Sequence, residues 1–321
     1  MNGCKSLRSL PNKIGLEALE IFDLGGCSRL EKFLKIVGNV SRLSKLYLNK
    51  TPIKYLPLLA EHVIGLIELD LRDYKNLSSL PNACLMSLKI FTLFGCSKID
   101  ELPENLGKIE GLEKLDLSGI AIMGLPSSFV HLKNLKELSL SGCIGLSCKS
   151  FNKLTRFTLM QPRRSLDPMG MLERSLIGLC SLTKLNLSYC NVQTIPNVLG
   201  CLSSLEHLNL SGNNFVSLPE SIIQLSNLRN LYMGGCTHLQ MLPKLPLNIK
   251  YIDATECTSL ETLSLRPKYD FQPSFRLLNC DKLFKNQGYS DLFSTMLRRY
   301  IVNHQVSLSL SLSLSLSHVK F

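Results

Sequence analysis

Cysteine and histidine are the residue types in this sequence with the clearest capacity for chemistry. The chain has 321 residues, of which 12 are cysteine and 6 are histidine. Cysteines can form disulfides or bind zinc, and histidines can bind zinc or transfer protons. Most of the cysteines recur once per unit of a longer pattern, whereas metal ligands must converge. We therefore predict a structural ladder whose members are Cys27, Cys96, Cys143, Cys190, Asn213, Cys236, Cys257 and Cys280.

Patterns typical of enzymes are not found in the sequence. No histidine stands in a His-Glu-x-x-His motif, and no Gly-x-x-x-x-Gly-Lys-Ser/Thr loop is present for nucleotide phosphates. Glu68 and Asp70 share one side of an expected strand, but an open sheet offers no shielded site to shift their pKa values. We predict a protein that is not an enzyme, with no catalytic residue, no cofactor and no metal.

One repeating frame positions these residues along nearly the whole chain. It consists of spaced apolar residues, then Leu-x-Leu, then two residues and a cysteine or asparagine, and later Leu-Pro. The frame recurs about every 23 residues, within the range of leucine-rich repeats. It is shown well by Leu132, Leu135, Leu138, Leu140 and Cys143.

The frame predicts an α/β repeat solenoid, a curved leucine-rich-repeat horseshoe. Each Leu-x-Leu segment alternates as a short strand does, and stacked units join their leucines into one core. We expect a parallel β-sheet on the concave side and short helices or 3₁₀ turns on the convex side. Segments 103–107 and 219–223 fit such turns, because proline suits the first position of a helix.

The chain divides into three predicted regions. Leucine-rich repeats occupy residues 1–270, with an irregular unit or insertion at 149–174 and a degenerate strand expected around Phe157 and Leu159. Residues 271–303 form the last repeat and the start of a post-repeat domain or cap, including an expected amphipathic helix around Leu292 and Leu297. Residues 304–321 form a low-complexity Ser-Leu tail, disordered or artefactual.

Charge and cysteine usage limit the classes of partner and the compartment. The net charge is +11, but the excess falls in segments 1–13, 149–174 and 266–299, whereas nucleic acid would need one continuous basic surface. No apolar run is long enough for a membrane span or a signal peptide. We expect no nucleic acid, no membrane insertion and a reduced intracellular setting.

The repeats resemble those of plant intracellular immune receptors of the TIR–nucleotide-binding–leucine-rich-repeat (TIR-NB-LRR) class of disease resistance proteins. Residues 115–119 and 122–126 are typical of that pattern, and residues 275–283, Phe-Arg-Leu-Leu-Asn-Cys-Asp-Lys-Leu, are similar to the start of the domain that follows those repeats. The resemblance implies a cytoplasmic or nucleocytoplasmic recognition module. The missing nucleotide-binding loop and the Ser-Leu tail indicate an apparently truncated product.

The outward positions of the strands are the candidate binding surface. The resemblance implies a protein partner there: a pathogen effector, a host protein or the receptor's own nucleotide-binding domain. The candidate concave-face residues are Tyr47, Arg72, Phe94, Lys114, Asp116, Arg156, Lys184, His207, Tyr232 and Tyr251. An insertion loop carrying Arg163 and Arg164 is either a second binding element or a decayed repeat.

Two other functions stay open from the sequence. A secreted leucine-rich-repeat inhibitor would carry glycans at sequons such as Asn186-Leu187-Ser188 and Asn209-Leu210-Ser211. An intracellular repeat scaffold would share the same repeat and differ only in its partner.

Overall fold

A computed structural model describes residues 1–11, 17–32, 40–53, 65–80, 85–146, 168–263 and 273–287. The chain forms two compact units, Met1–Cys190 and Asn191–Phe321. Each is described separately below.

The first unit contains a parallel sheet whose strands follow the order of the chain. Pairing is in register, so that Leu46 in β2 lies beside Phe22 in β1 and Leu69 in β3. The strands are β1 (Ile21–Asp23), β2 (Lys45–Tyr47), β3 (Glu68–Asp70), β4 (Ile90–Thr92), β5 (Lys114–Asp116), β6 (Glu137–Ser139) and β7 (Lys184–Asn186).

The second unit repeats this arrangement. Its strands are β8 (His207–Asn209), β9 (Asn230–Tyr232), β10 (Tyr251–Asp253) and β11 (Ser274–Arg276), each parallel to the next. The strands are short because only the central leucine or its equivalent and the residues beside it are needed to pair adjacent units. The predicted parallel strands at the Leu-x-Leu segments are confirmed.

Short helices return the chain on the side away from the strands. The 3₁₀ helices of the first unit are Glu104–Lys108, Ser127–His131 and Ile144–Leu146, and those of the second are Asn197–Cys201 and Glu220–Gln224. Pro103 and Pro219 stand directly before two of them with φ of -72° and -69°, within the range that the proline ring imposes. The predicted turns at 103–107 and 219–223 are therefore confirmed.

The core is formed by the stacked leucines of the repeat. Leu48, Leu71, Leu93 and Leu140 are fully buried, as is Phe129 in the 3₁₀ helix Ser127–His131. Burying one such side chain stabilises the fold by about 1.5–3 kcal/mol. Since a single repeat exposes its leucines at both sides, this free energy arises only when repeats stack.

β6 and β7 flank the segment in which the sequence predicts a degenerate unit around Phe157 and Leu159. β6 pairs directly with β7, with Glu137 beside Lys184 and Leu138 beside Leu185. No strand therefore intervenes between them. Phe157 itself, like the rest of segment 147–167, lies outside the described residues.

The end of the predicted insertion takes part in the stacked architecture. Helix α1 (Pro168–Leu176) packs against the 3₁₀ helix 127–131. Its Leu172 and Leu176 are buried, and the hydroxyl of Ser175 donates a hydrogen bond to the main-chain oxygen of Pro126 at 3.2 Å. This part of the segment fills the place of a return helix before β7.

Helix α2 (Asp281–Gln287) follows β11 in the second unit. It begins directly after Asn279-Cys280, within residues 275–283 that the sequence assigns to the last repeat or cap, and its Leu283 is fully buried. The amphipathic stretch around Leu292 and the Ser-Leu tail lie outside the described residues. None of the described helices is long and apolar enough to cross a membrane.

Candidate partner-binding face

The side of the strands that points away from the leucine core is here called the strand face. In nine of the eleven described strands the central residue is buried and its neighbours are exposed or half-buried, as in β2, β6 and β9; β3, where Asp70 is also buried, and β11 depart from this pattern. This alternation follows from the two-residue period of a strand. The candidate residues Tyr47, Lys114, Asp116, Lys184, His207, Tyr232 and Tyr251 lie in these strands on the strand face.

Charged side chains of the first unit pair across neighbouring strands. Glu137 in β6 accepts contacts from the ammonium groups of Lys114 in β5 at 3.1 Å and Lys184 in β7 at 2.8 Å. Burial raises the pKa of Glu137, but the hydrogen bonds and charges of the two lysines outweigh it, so that the pKa lies below its ordinary value. Lys45 and Glu68 form a similar pair at 3.4 Å.

Arg72 lies beside β3 and is held by the preceding strand residue. Its guanidinium donates to both carboxylate oxygens of Asp70 at 2.6–3.0 Å. Asp70 is 4% exposed, so this two-pronged contact satisfies a buried carboxylate. The hydrogen bonds to Asp70 and the charges of Asp70, Asp116 and Asp73 raise the pKa of Arg72 against the effect of burial.

In six of the eleven described strands the third position carries aspartate or asparagine, for a local structural reason. The Oδ1 atom of Asp116 accepts the main-chain N–H of Ser118 at 3.0 Å, and Asn186 accepts that of Ser188 at 3.1 Å. The same contact recurs in the second unit at Asp253 and Thr255. Such side chains satisfy the backbone where the strand turns away. Asp116 is thus a turn residue as well as a candidate contact.

Aromatic side chains are distributed over both units. In the first, Phe94 is 45% exposed directly after β4, and burial together with Glu68 raises the pKa of Tyr47. In the second, the rings of Tyr232 and Tyr251 on adjacent strands have centroids 5.7 Å apart and planes tilted by 53°. His207 lies next to Asn230, with 3.1 Å between its Nδ1 and the amide nitrogen.

The cysteine ladder lies behind the ends of the strands and faces the core. The thiol of Cys96 donates to the main-chain oxygen of Leu71 at 3.0 Å, and that of Cys143 to Leu117 at 3.1 Å. Each thiol thus bonds to a main-chain oxygen of the preceding repeat. Equivalent bonds run from Cys190, Cys236, Cys257 and Cys280 to Leu140, Leu210, Met233 and Ala254, and Cys27 donates to Met1.

Burial keeps the thiols of Cys96, Cys143 and Cys190 protonated. It raises the pKa of Cys143 to about 12 and that of Cys96 and Cys190 to about 11. A thiol in this state is a hydrogen-bond donor and a poor nucleophile. Asn213 fills the same position in one repeat of the second unit, accepting the N–H of Val192 at 2.9 Å and donating to Leu210 at 2.8 Å.

Two hydroxyl-bearing members of this row were not predicted from the sequence. Thr51 and Tyr74 occupy the cysteine position in their repeats, and both are buried. The hydroxyl of Thr51 donates to the main-chain oxygen of Leu48 at 2.8 Å, whereas the Tyr74 hydroxyl has no hydrogen-bond partner in the described part of the chain. The spacing was the available signal. Thr51 follows Leu48 by three residues and Tyr74 follows Leu71 by three, as a ladder cysteine follows the last leucine of its Leu-x-Leu segment.

A row of left-handed residues was also missed. It stands one position before the ladder and contains Gly95, Gly119 and Gly142, with φ of 71–75°, but also Asp73 and Tyr189 with φ of 56° and 57°. The recurring glycines were the signal that this backbone position favours residues without a β-carbon.

Arg156, Arg163 and Arg164 lie outside the described residues. Within the described ranges, no three His, Cys, Asp or Glu side chains come close enough to hold a metal ion.

Comparison with known proteins assigns these repeats to a family. Residues 15–101 and 87–276 match the family described as "Disease resistance protein RPS4B-like, leucine-rich repeats". This chain belongs to that family. TMV resistance protein N of Nicotiana glutinosa is 35% identical over 260 residues, which are 79% of this chain and 21% of that protein. Disease resistance protein RPS4B of Arabidopsis thaliana is 32% identical over 266 residues, 82% of this chain and 16% of that protein.

The predicted relationship to plant TIR-NB-LRR resistance proteins is confirmed by these matches. The RPS4B-like chain spans about a fifth or less of the length of these two relatives. It is a leucine-rich-repeat module related to plant defence.

Solved structures agree on the fold. The leucine-rich repeat domain of the type III effector XopL aligns with a TM-score of 0.51 at 23% identity, covering 68% of this chain and 70% of that one. A functional domain of InlJ from Listeria monocytogenes, which includes a cysteine ladder, aligns with a TM-score of 0.52 at 17% identity, covering 86% and 59%. The predicted leucine-rich-repeat solenoid is confirmed.

Proposed function

We propose that the strand face of this RPS4B-like module recognises a protein partner in the defence response of an intracellular plant immune receptor. The partner is a pathogen effector, a host protein or the receptor's own nucleotide-binding domain. The module performs no catalysis and takes no cofactor in this proposal, and it acts in the cytoplasm or in both cytoplasm and nucleus.

The aromatic pair of the second unit carries the proposal. Tyr232 and Tyr251 are half-buried on adjacent strands, with tilted rings 5.7 Å apart. Polar residues surround them, including His207, Asn230 and Asp253 on the same side. Tyrosines fixed among polar groups are typical of binding hot spots, because they bury large area for little conformational entropy.

The charges of the strand face favour a protein over a nucleic acid. In the first unit, Glu137 is flanked by Lys114 and Lys184, and Arg72 is bound to Asp70. Acids and bases therefore alternate and neutralise one another. Nucleic acid binding depends on an uncompensated basic surface, whereas a mixed surface provides specificity for a protein with the complementary pattern.

The state of the cysteines and sequons supports an intracellular module over a secreted inhibitor. The described cysteines are all free, and the buried ones serve as hydrogen-bond donors. Asn186 and Asn209, two of the sequon asparagines, lie in β7 and β8, and their side-chain oxygens accept the main-chain N–H groups of Ser188 and Ser211. Glycans at these positions would cover the strand face itself. An intracellular scaffold remains the alternative and would differ only in its partner.

Proximity labelling in leaf cells tests the proposal. The 321-residue chain is fused to a biotin ligase and compared with a variant carrying Tyr232→Ala and Tyr251→Ala. Ile223→Ala is the matched control, because this residue is 47% exposed in the return helix of the same unit. We expect labelling of at least one protein to fall in the double variant only, and its purified form to bind the wild-type chain directly. Identical labelling by all three proteins would exclude the strand face of this unit as the binding surface.

A further inference from the structure

The second unit contains a cleft at the beginning of strands β9 and β10. The cleft has a volume of about 430 Å³ and is lined by Asn227, Arg229, Leu247, Asn248 and Lys250. Arg229 directly precedes β9, and Lys250 directly precedes β10. The cleft therefore adjoins the two strands that carry Tyr232 and Tyr251.

The two bases of this cleft occupy the same position in neighbouring repeats. The main-chain N–H of Lys250 donates to the oxygen of Arg229 at 2.7 Å, and that of Arg229 donates to the oxygen of Glu206 at 2.9 Å. The residues directly before the strands are here called the entry row. They are Glu20, Ser44, Ile67, Lys89, Glu113, Lys136 and Thr183 in the first unit and Glu206, Arg229, Lys250 and Pro273 in the second.

Like charges stand on neighbouring strands of the described entry row only at Arg229 and Lys250. In the first unit the charges alternate, and Glu113 contacts Lys89 at 3.6 Å and Lys136 at 2.8 Å. Like charges side by side on a sheet are unfavourable, so alternation is what folding alone favours. Two adjacent cations are instead expected where an anion from another molecule lies between them.

The carboxylates at this end of the strands leave one positive charge uncompensated. Glu206 lies 4.0 Å from Arg229, and both side chains are exposed to solvent. No carboxylate of the described residues lies within that distance of Lys250. The segments 224–229 and 240–250, which lead into β9 and β10, contain no acidic residue. Arg229, Lys250 and Glu206 together therefore carry a charge of about +1.

The acids that follow β10 lie at the other end of the strand. Asp253 is the last residue of β10 and contacts Arg276 at 4.0 Å, and Glu256 follows it in the turn. Glu261 contacts Lys282 at 3.4 Å. These acids therefore do not replace the missing partner of the cleft.

The remaining lining residues suit a short acidic segment. The Nδ2 atoms of Asn227 and Asn248 donate to the main-chain oxygens of Ser203 at 2.8 Å and Ser226 at 2.7 Å. These bonds fix both amides in the wall of the cleft, and each amide nitrogen carries a second hydrogen that can be donated to a ligand. Leu247 is 60% exposed, so an apolar side chain next to the acid would gain burial against it.

We propose that this cleft binds one aspartate or glutamate side chain of the protein partner, with an adjacent apolar residue against Leu247. The guanidinium of Arg229 can donate to both carboxylate oxygens, and the ammonium of Lys250 adds a third charged contact. One carboxylate balances the excess charge, whereas a phosphate group of about -1.5 to -2 would leave net negative charge beside Glu206. The inference rests on the proposed role in protein recognition and names the partner group that lies beside Tyr251.

A peptide selection tests the cleft. The intact 321-residue protein is immobilised and exposed to a phage library of random 12-residue peptides, and enriched sequences are synthesised for fluorescence-polarisation titrations. We expect enriched peptides to contain an acid next to an apolar residue, and replacement of that acid by its amide to weaken binding at least tenfold. Arg229→Gln combined with Lys250→Gln should weaken binding equally, and added salt should weaken binding to the wild type more than to this variant.

The first unit provides a matched control. Lys89→Gln combined with Lys136→Gln removes two charges from the same row, and these side chains are 55% and 56% exposed, against 53% for Arg229. Peptide affinity should stay unchanged in this control, because Glu113 already lies between its two lysines. Circular dichroism should show that both double variants are folded.

Four results would each overturn the inference. They are enriched peptides without an acid, equal affinity of the cleft variant and the wild type, equal losses in the cleft variant and the control, and tighter binding when phosphoserine replaces the acid. The last result would assign the cleft to a phosphorylated segment.

The outcome is separable from that of the proposed function. Suppose that labelling of a protein is lost with Tyr232→Ala and Tyr251→Ala but kept with Arg229→Gln and Lys250→Gln. The proposed function would then stand and the cleft would be rejected. Loss of peptide binding in the cleft variant, with labelling unchanged in the tyrosine variant, would support the cleft and reject the role of the two tyrosines.

Discussion

The thiol of Cys143 donates a hydrogen bond to the main-chain oxygen of Leu117, 3.1 Å away in the preceding repeat. Cys143 is fully buried, and Leu117 is the second leucine of its own Leu-x-Leu segment. The contact therefore links adjacent repeats at the point where the strand ends and its carbonyl groups leave the sheet. Cysteine suits this position because its side chain is small and apolar enough for the core and its thiol can donate a hydrogen bond to the carbonyl group.

Removal of this donor should destabilise the first unit. Cys143→Ala leaves a small cavity and takes the thiol partner from a buried carbonyl, so we expect the free energy of unfolding to fall by about 1–3 kcal/mol. Urea denaturation followed by circular dichroism measures the change. Cys201→Ala is the control, because Cys201 is exposed. Equal stability of the two variants would show that the ladder contributes nothing here.

Tyr74 occupies the ladder position with a buried hydroxyl that has no hydrogen-bond partner in the described ranges. Burial raises the pKa of this phenol. Because an unpaired buried hydroxyl costs about 1–3 kcal/mol, Tyr74→Phe should raise the free energy of unfolding by about 1 kcal/mol or more. Thermal and urea unfolding of the variant provide the test. A loss of stability would mean that the hydroxyl is paired in solution.

The sequence predicted the repeat more fully than the details of each position. Strands at Leu46, Leu69 and Leu115 follow from the leucine spacing, since only that register buries them. The ladder was predicted only at positions that hold cysteine or asparagine. Thr51 and Tyr74 were not included because they share the position of these residues but not their type. Spacing alone therefore defines the position, and residue identity does not.

Tertiary context explains the remaining differences. The leucine-like spacing around Phe157 suggested one more unit, whereas β6 pairs directly with β7 in the sheet. The tilt of Tyr232 against Tyr251 depends on side-chain rotamers that a one-dimensional pattern does not contain. Likewise, glycine marked most of the left-handed row, but nothing in the sequence marked Tyr189 as left-handed.

The lysine contacts of Glu137 should make stability depend on pH. Its pKa is lowered in the folded protein, so its contribution is present above the unfolded pKa and is lost as the pH falls through the folded value. At pH 7, Glu137→Gln should cost about 0.5–1 kcal/mol, since the group is partly exposed. Below the folded pKa, the variant and the wild type should become equal.

Urea unfolding at a series of pH values and at two salt concentrations measures this dependence. Screening by salt should reduce the difference at pH 7, because both lysines are about half exposed. Glu110→Gln serves as the control, since the side chain of Glu110 is exposed in the same unit. A stability difference for Glu137→Gln that persists unchanged at low pH would attribute the effect to packing and not to charge.

Replacement of Tyr189 by glycine should stabilise the fold even though it removes a large side chain. Relief of the left-handed strain gains about 1–2 kcal/mol, and the greater freedom of glycine in the unfolded chain costs about 0.5–1 kcal/mol. Because Tyr189 is 64% exposed, little burial is lost. We expect a net gain of about 0.5–1 kcal/mol in urea unfolding. The converse change, Gly119→Ala, should cost about 1–2 kcal/mol, since it introduces a β-carbon at φ of 71°. If Tyr189→Gly instead lowers stability, the ring is a structural element of the first unit.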